Sequence, residues 1–125
     1  MADLAGKIVL LVEDDALIAA LFEDMFLDAG ATIIGPILTC EDALLAIANY
    51  RPDVASLDWS LLDGTSQPVA EALAAMGVPF LFITGNPVED VQEHFPGSLV
   101  LEKPIFDFDG LIRQVVGIIP PRSPP

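Results

Sequence analysis

The chain predicts an α/β fold, a parallel sheet of five strands covered by helices on both faces. Three observations carry this. Five short apolar runs rich in branched residues alternate with segments of helical periodicity, the pattern of repeated βα units. Breakers at Gly30, Gly35-Pro36, Pro52, Gly77 and Gly85-Asn86-Pro87 punctuate those segments, so connections are short, and right-handed crossovers then favour a parallel sheet. Four runs end on polar groups that can do chemistry: Glu13-Asp14, Asp58, Thr84 and Lys103. In an open parallel sheet such ends share one crevice, where ligands bind.

The elements follow in order. Residues 7–12 form a buried strand, and Asp14 or Asp15 caps a helix whose apolar stripe is Leu17, Ile18, Leu21, Phe22, Met25 and Phe26, closed at Gly30. Residues 31–34 form a short strand closed by Gly35-Pro36. Thr39, three residues before Asp42, opens a helix to about Tyr50. Residues 53–57 are the third strand, and 59–67 a polar loop. Pro68 stands in the first turn of a helix that buries Val69, Leu73 and Met76 and ends at Gly77. Residues 79–83 and 98–102 are the last strands, with a short helix over 88–95 between them. Asp107 or Asp109 caps a final helix through Ile119, which Gly110 weakens by ~1 kcal/mol. One domain spans 1–119; residues 120–125 are a Pro-rich, disordered tail, and nothing after the last helix is long enough to be an output domain.

A length of 125 residues suits one domain with its own core. Hydrophobic residues at 53% and a mean hydropathy of +0.58 speak for a compact fold. No apolar run approaches the ~18 residues of a membrane span, and the N-terminus lacks the basic start and apolar stretch of a signal peptide. Cys40 is the single cysteine, so no internal disulfide forms. Together these imply a reducing, cytoplasmic setting without membrane attachment. The formal charge is −14, and the five cations Lys7, Arg51, Lys103, Arg113 and Arg122 are scattered. A nucleic-acid backbone needs them clustered, so nucleic-acid binding is disfavoured. The acidity serves solubility or draws cations or a basic partner face.

Taken singly, each candidate has an ordinary reading: Glu13-Asp14-Asp15 as a helix cap, Asp58 as a loop aspartate, Lys103 as a solvated charge, Thr84 as a strand-end hydroxyl. Together, carboxylates, hydroxyl and ammonium suit a divalent cation and a phosphoryl group. His94 reads as a surface or helix-end histidine, Cys40 as inert, and Trp59 as either core or an exposed platform.

The stretches Val9 to Asp15, Ser56-Leu57-Asp58-Trp59, Phe82-Ile83-Thr84-Gly85 and Leu101-Glu102-Lys103-Pro104, in this order at strand ends, resemble the receiver domain of two-component response regulators. Residues 62–70 and Thr84-Gly85 further resemble single-domain receivers of alphaproteobacteria. The resemblance implies a flavodoxin-like (βα)5 fold with strand order 2-1-3-4-5. It makes Asp58 the phosphoacceptor, Asp14 a direct and Glu13 a water-mediated Mg²⁺ ligand, and the backbone carbonyl of Ser60 a further ligand. Lys103 would contact a phosphoryl oxygen, Thr84 would hydrogen-bond it and act as the switch, and Pro104 would be a cis proline. The implied partners are a sensor histidine kinase or histidine phosphotransfer protein and a downstream protein target, with the domain itself a monomer or weak homodimer. It would be no enzyme beyond its own phosphorylation and dephosphorylation.

Three departures stand out. Val100 occupies a position that is often aromatic and couples to the threonine, Leu62 stands where a proline is usual, and Asn86-Pro87 follows Thr84-Gly85. Rival readings are a receiver-like adaptor that is never phosphorylated, an aspartyl-nucleophile phosphatase, and a flavin-binding domain. The phosphatase wants a second aspartate two residues after the nucleophile, where Ser60 stands; acids after Val12 would repel a flavin's phosphate.

Overall fold

A computed structural model describes residues 3–121. The strands are β1 (Ile8–Val12), β2 (Thr32–Ile37), β3 (Val54–Leu57), β4 (Ser60–Leu61), β5 (Gly64–Thr65), β6 (Phe80–Thr84) and β7 (Val100–Glu102). The helices are α1 (Ala16–Asp28), α2 (Cys40–Asn49), α3 (Gln67–Met76), α4 (Val88–His94) and α5 (Phe108–Ile118). Five strands form one parallel sheet in the order β2-β1-β3-β6-β7, which is 2-1-3-4-5 when only those five are counted. The flavodoxin-like architecture is therefore present. Most of the proposed tail, residues 122–125, lies outside the described residues.

Alternation along the strands divides the core into two layers, because successive side chains point to opposite faces. Leu10, Val12, Ala55, Leu57 and Phe82 face α2, α3 and α4, meeting Ala43, Ile47, Val69, Leu73 and Val91. Val9, Leu11, Val54, Leu81 and Ile83 face α1 and α5, meeting Phe22, Phe26, Leu111 and Val115. Both faces are covered, so the central strands are almost wholly apolar, with Ser56 in β3 and Thr84 at the end of β6 as their buried polar residues. Each fully buried Leu or Phe contributes about 2 kcal/mol.

Several elements differ from expectation. β2 does not stop at Gly35-Pro36 but runs through it to Ile37, with an irregular register opposite Leu10 and Val12. It is an edge strand, where a proline forfeits no ladder bond. Gly35 has φ +115°, and a Cβ there would lie 2.6 Å from the Leu11 carbonyl oxygen, so glycine is required. On α1, Leu17 and Leu21 are 73% and 47% exposed; the buried stripe is Ala19, Phe22, Met25 and Phe26. On α3, Met76 is only half-buried. The loop after β3 contains the β4–β5 hairpin, pairing Ser60 with Thr65 and Leu61 with Gly64. β7 begins at Val100 rather than Ser98.

The caps largely follow the sequence. Asp15, not Asp14, caps α1, its carboxylate accepting from the Leu17 and Ile18 amides. Thr39 caps α2 by accepting from the Asp42 amide at 3.1 Å, and Gly77 closes α3 in the left-handed region. Asp107 caps α5, accepting from the Gly110 amide at 2.8 Å. A Cβ on Gly110 would collide with that carboxylate, so this glycine makes room for the cap.

Candidate functional site

One row of the sheet aligns the site. Ile37, Val12, Leu57, Phe82 and Val100 lie side by side across β2, β1, β3, β6 and β7. Just past that row β1, β3 and β7 leave the sheet towards Glu13, Asp58 and Lys103, and β6 ends on Thr84. The Asp58 amide donates to the Val12 carbonyl at 2.9 Å, the Glu13 amide to the Ile37 carbonyl at 2.9 Å, and the Lys103 amide to the Thr84 carbonyl at 2.9 Å. The backbone thus fixes Glu13, Asp58, Thr84 and Lys103 before any side chain acts.

The acids of 13–15 divide their work. Asp15 is committed to the α1 cap. Glu13, 1% exposed, accepts from the Asp15 amide through Oε2 at 3.1 Å and meets Lys103 Nζ through Oε1 at 2.6 Å. The same ammonium donates to Asp58 Oδ2 at 3.0 Å. Asp14 is half-buried. Lys103 therefore bridges the Glu13 and Asp58 carboxylates.

Burial pushes the Glu13 carboxyl up to about 7 from its ordinary 4.5; the Lys103 hydrogen bond opposes the rise and Asp58 adds to it. Desolvation, more than repulsion between crowded carboxylates, is the main cause. Burial on its own would lower the Lys103 ammonium, but the hydrogen bonds it donates to Glu13 and Asp58 outweigh it and raise it. Lys103 stays charged at neutral pH.

Thr84, fully buried, does not act alone. Its Oγ1 donates to Asn86 Oδ1 at 3.0 Å and accepts from the Asn86 amide at 3.0 Å. Ser60 Oγ donates to the same Asn86 Oδ1 at 2.9 Å. Asn86 joins the residue two beyond Asp58 to the hydroxyl ending β6. The return of two loops to one edge brings positions 60 and 86 into contact. The Lys103–Pro104 peptide is cis.

Other candidates resolve into structural roles. Trp59 is core, 6% exposed, its ring 5.5 Å from Phe82 and 5.3 Å from His94. His94 ends α4, exposed but resting on that ring. Val100 is half-buried against the layer containing Phe82. Burial and the Asp63 charge push the Cys40 thiol up, away from reactivity. Asp63 reaches from the β4–β5 turn to accept from the Cys40 and Glu41 amides at 2.7 and 3.1 Å, bonds that hold its carboxyl below the usual range.

Among solved structures, SdrG from Sphingomonas melonis Fr1 is 38% identical, covering 95% of this chain and 98% of its own, with a TM-score of 0.77. The BeF3-activated conformation of SdrG, from Pseudomonas melonis Fr1, is 37% identical over 92% of this chain and 98% of that one, with a TM-score of 0.75. The signal receiver domain of a modulated diguanylate cyclase from Desulfovibrio desulfuricans G20 is 32% identical, covering 90% and 93%, with a TM-score of 0.77. The chain belongs to the response-regulator receiver family. The receiver domain of the Erythrobacter litoralis response regulator PhyR is also similar, at 25% identity over 96% of this chain and 97% of that one, with a TM-score of 0.79. No protein-family model matches the chain, and no curated protein sequence does.

The receiver's donor set suits a hard divalent cation. Glu13, Asp14 and Asp58 each offer one carboxylate oxygen, all within 4.8 Å of one another. Oxygen donors of this kind are what hard divalent cations take. Among the described residues, no helix is long and apolar enough to cross a membrane.

Proposed function

We propose that this receiver accepts a phosphoryl group on Asp58 from the phosphohistidine of a sensor kinase or phosphotransfer protein, and signals through protein–protein contacts. One observation carries the reading: Lys103 Nζ lies 3.0 Å from Asp58 Oδ2, beside two further carboxylates at adjacent strand ends. That pairing keeps one Asp58 oxygen oriented and partly neutralised in a nearly dry pocket.

In the transfer, an Asp58 carboxylate oxygen forms a bond to phosphorus as the phosphorus–nitrogen bond of the donor breaks, and the imidazole departs with the electron pair. The in-line nucleophile is held by the Val12–Asp58 backbone bond and by Lys103. Lys103 then shifts from carboxylate oxygen to phosphoryl oxygen, retaining its charge throughout. Glu13, Asp14, Asp58 and the Ser60 carbonyl would hold Mg²⁺, whose contribution is to neutralise the anions that would otherwise repel the incoming phosphoryl group. Thr84 supplies a hydroxyl at the end of β6, the strand paired with β7, so a change there reaches the α4–β7–α5 face.

Incubation with a phosphorylated histidine kinase and Mg²⁺ tests the proposal. The wild type should become labelled and Asp58→Asn should not. Labelling of Asp58→Asn at the wild-type rate would overturn it.

A further inference from the structure

We propose that Asn86 is a positioning residue that holds the Thr84 hydroxyl in the resting receiver and must let it go for the hydroxyl to reach a bound phosphoryl group. A threonine hydroxyl has one proton. Here that proton is committed to Asn86 Oδ1 at 3.0 Å, while the Asn86 backbone N–H donates to Thr84 Oγ1 at 3.0 Å. This two-way grip is made at a fully buried hydroxyl, with Asn86 itself half-buried, where losing a hydrogen-bond partner is costlier for Thr84 than at the surface. Ser60 Oγ, donating at 2.9 Å, takes the second acceptor position of Oδ1 and pins the amide from the opposite loop.

The consequence is a competition. A phosphoryl oxygen on Asp58 is charged and makes the better acceptor, so Thr84 transfers its proton contact there only by abandoning Asn86 Oδ1. Release also leaves Asn86 Oδ1 with Ser60 alone, so the acceptor loop and the end of β6 loosen together. Asn86 thus opposes the active arrangement of Thr84, and part of the phosphoryl group's binding energy is used to break the grip. This deepens the phosphoacceptor reading and rests on it for its second measurement below, not its first.

The first measurement needs no phosphoryl group. Threonine χ1 populations, from NMR scalar couplings to the Thr84 methyl group, should show one dominant rotamer in the wild type, rotamer averaging in Asn86→Ala, and a retained single rotamer in Asn86→Asp, which keeps the acceptor oxygen. An unchanged Thr84 rotamer in a folded Asn86→Ala protein would overturn the proposal. The second titrates beryllofluoride with Mg²⁺. Asn86→Ala should bind it about three- to tenfold more tightly, the size of one neutral hydrogen bond. In a Thr84→Ala background the same substitution should bring no gain. A gain that persists without Thr84 would show mere widening of the site and overturn the proposal, as would unchanged or weaker binding by Asn86→Ala. Failure of the wild type to bind beryllofluoride would instead strike the phosphoacceptor reading, leaving the rotamers to decide the role of Asn86.

Discussion

Lys103 donates to Asp58 at 3.0 Å across 45 residues of chain, and its second contact, 2.6 Å to Glu13, makes it the centre of a buried charge cluster. Glu13 and Asp58 side chains are 2% and 7% exposed, against 16% for the lysine. Their stability therefore depends on the ammonium between them. Removing one member of such a cluster leaves uncompensated charge in a dry place.

Lys103→Ala should accordingly destabilise the fold by about 3 kcal/mol, the usual cost of breaking a buried pair, as measured by chemical denaturation. Millimolar Mg²⁺ should recover part of the loss, because a cation replaces the missing charge.

Mg²⁺ should also stabilise the wild type. Binding to the folded state alone contributes about 2.7 kcal/mol at a hundred times the dissociation constant. A rise in Tm with Mg²⁺ that vanishes in Asp14→Asn, read by thermal denaturation, is the expected result.

The raised Glu13 carboxyl gives stability a definite pH dependence. Between its ordinary 4.5 and about 7 the folded chain holds more proton there than the unfolded chain. The contribution is therefore fully present below about 4.5 and is lost as pH rises through about 7. Melting temperatures of the wild type and Glu13→Gln should diverge across this window, the wild type losing ground as pH rises. Saturating Mg²⁺, which favours the ionised carboxylate, should flatten that divergence.

Gly110→Ala should not follow helix propensity. In an ordinary helix interior the change stabilises by about 1 kcal/mol. Here the added methyl meets the exposed Asp107 carboxylate that caps α5 and displaces it from the cap, a loss of about 1 kcal/mol, so denaturation should show that gain cancelled.

Much of the pocket was legible because its residues end apolar runs, and parallel pairing carries run ends to one edge: Glu13, Asp58, Thr84 and Lys103 follow this logic. What those side chains do once there was less legible. The sequence does not reveal that Lys103 takes Glu13 as well as Asp58, since both contacts depend on how far three loops travel beyond the sheet. Ser60 and Asn86 meet for the same reason. Gly35-Pro36 reads as a breaker, yet an edge strand tolerates it. Leu17 and Leu21 share the helical period of Phe22 and Phe26 but lie on the side of α1 that the sheet does not reach. Asp63 caps a helix that begins 23 residues before it, a relation no local motif encodes.

The most direct test locates the phosphoryl group itself. The protein is treated with phosphoramidate and Mg²⁺, the acyl phosphate is trapped by borohydride reduction, and the reduced position is mapped by mass spectrometry. Reduction at Asp58 alone, absent without the phosphodonor, is the predicted result. Trapping at Asp14 or Glu13 with Asp58 unmodified, or no trapping at any residue, would contradict the account.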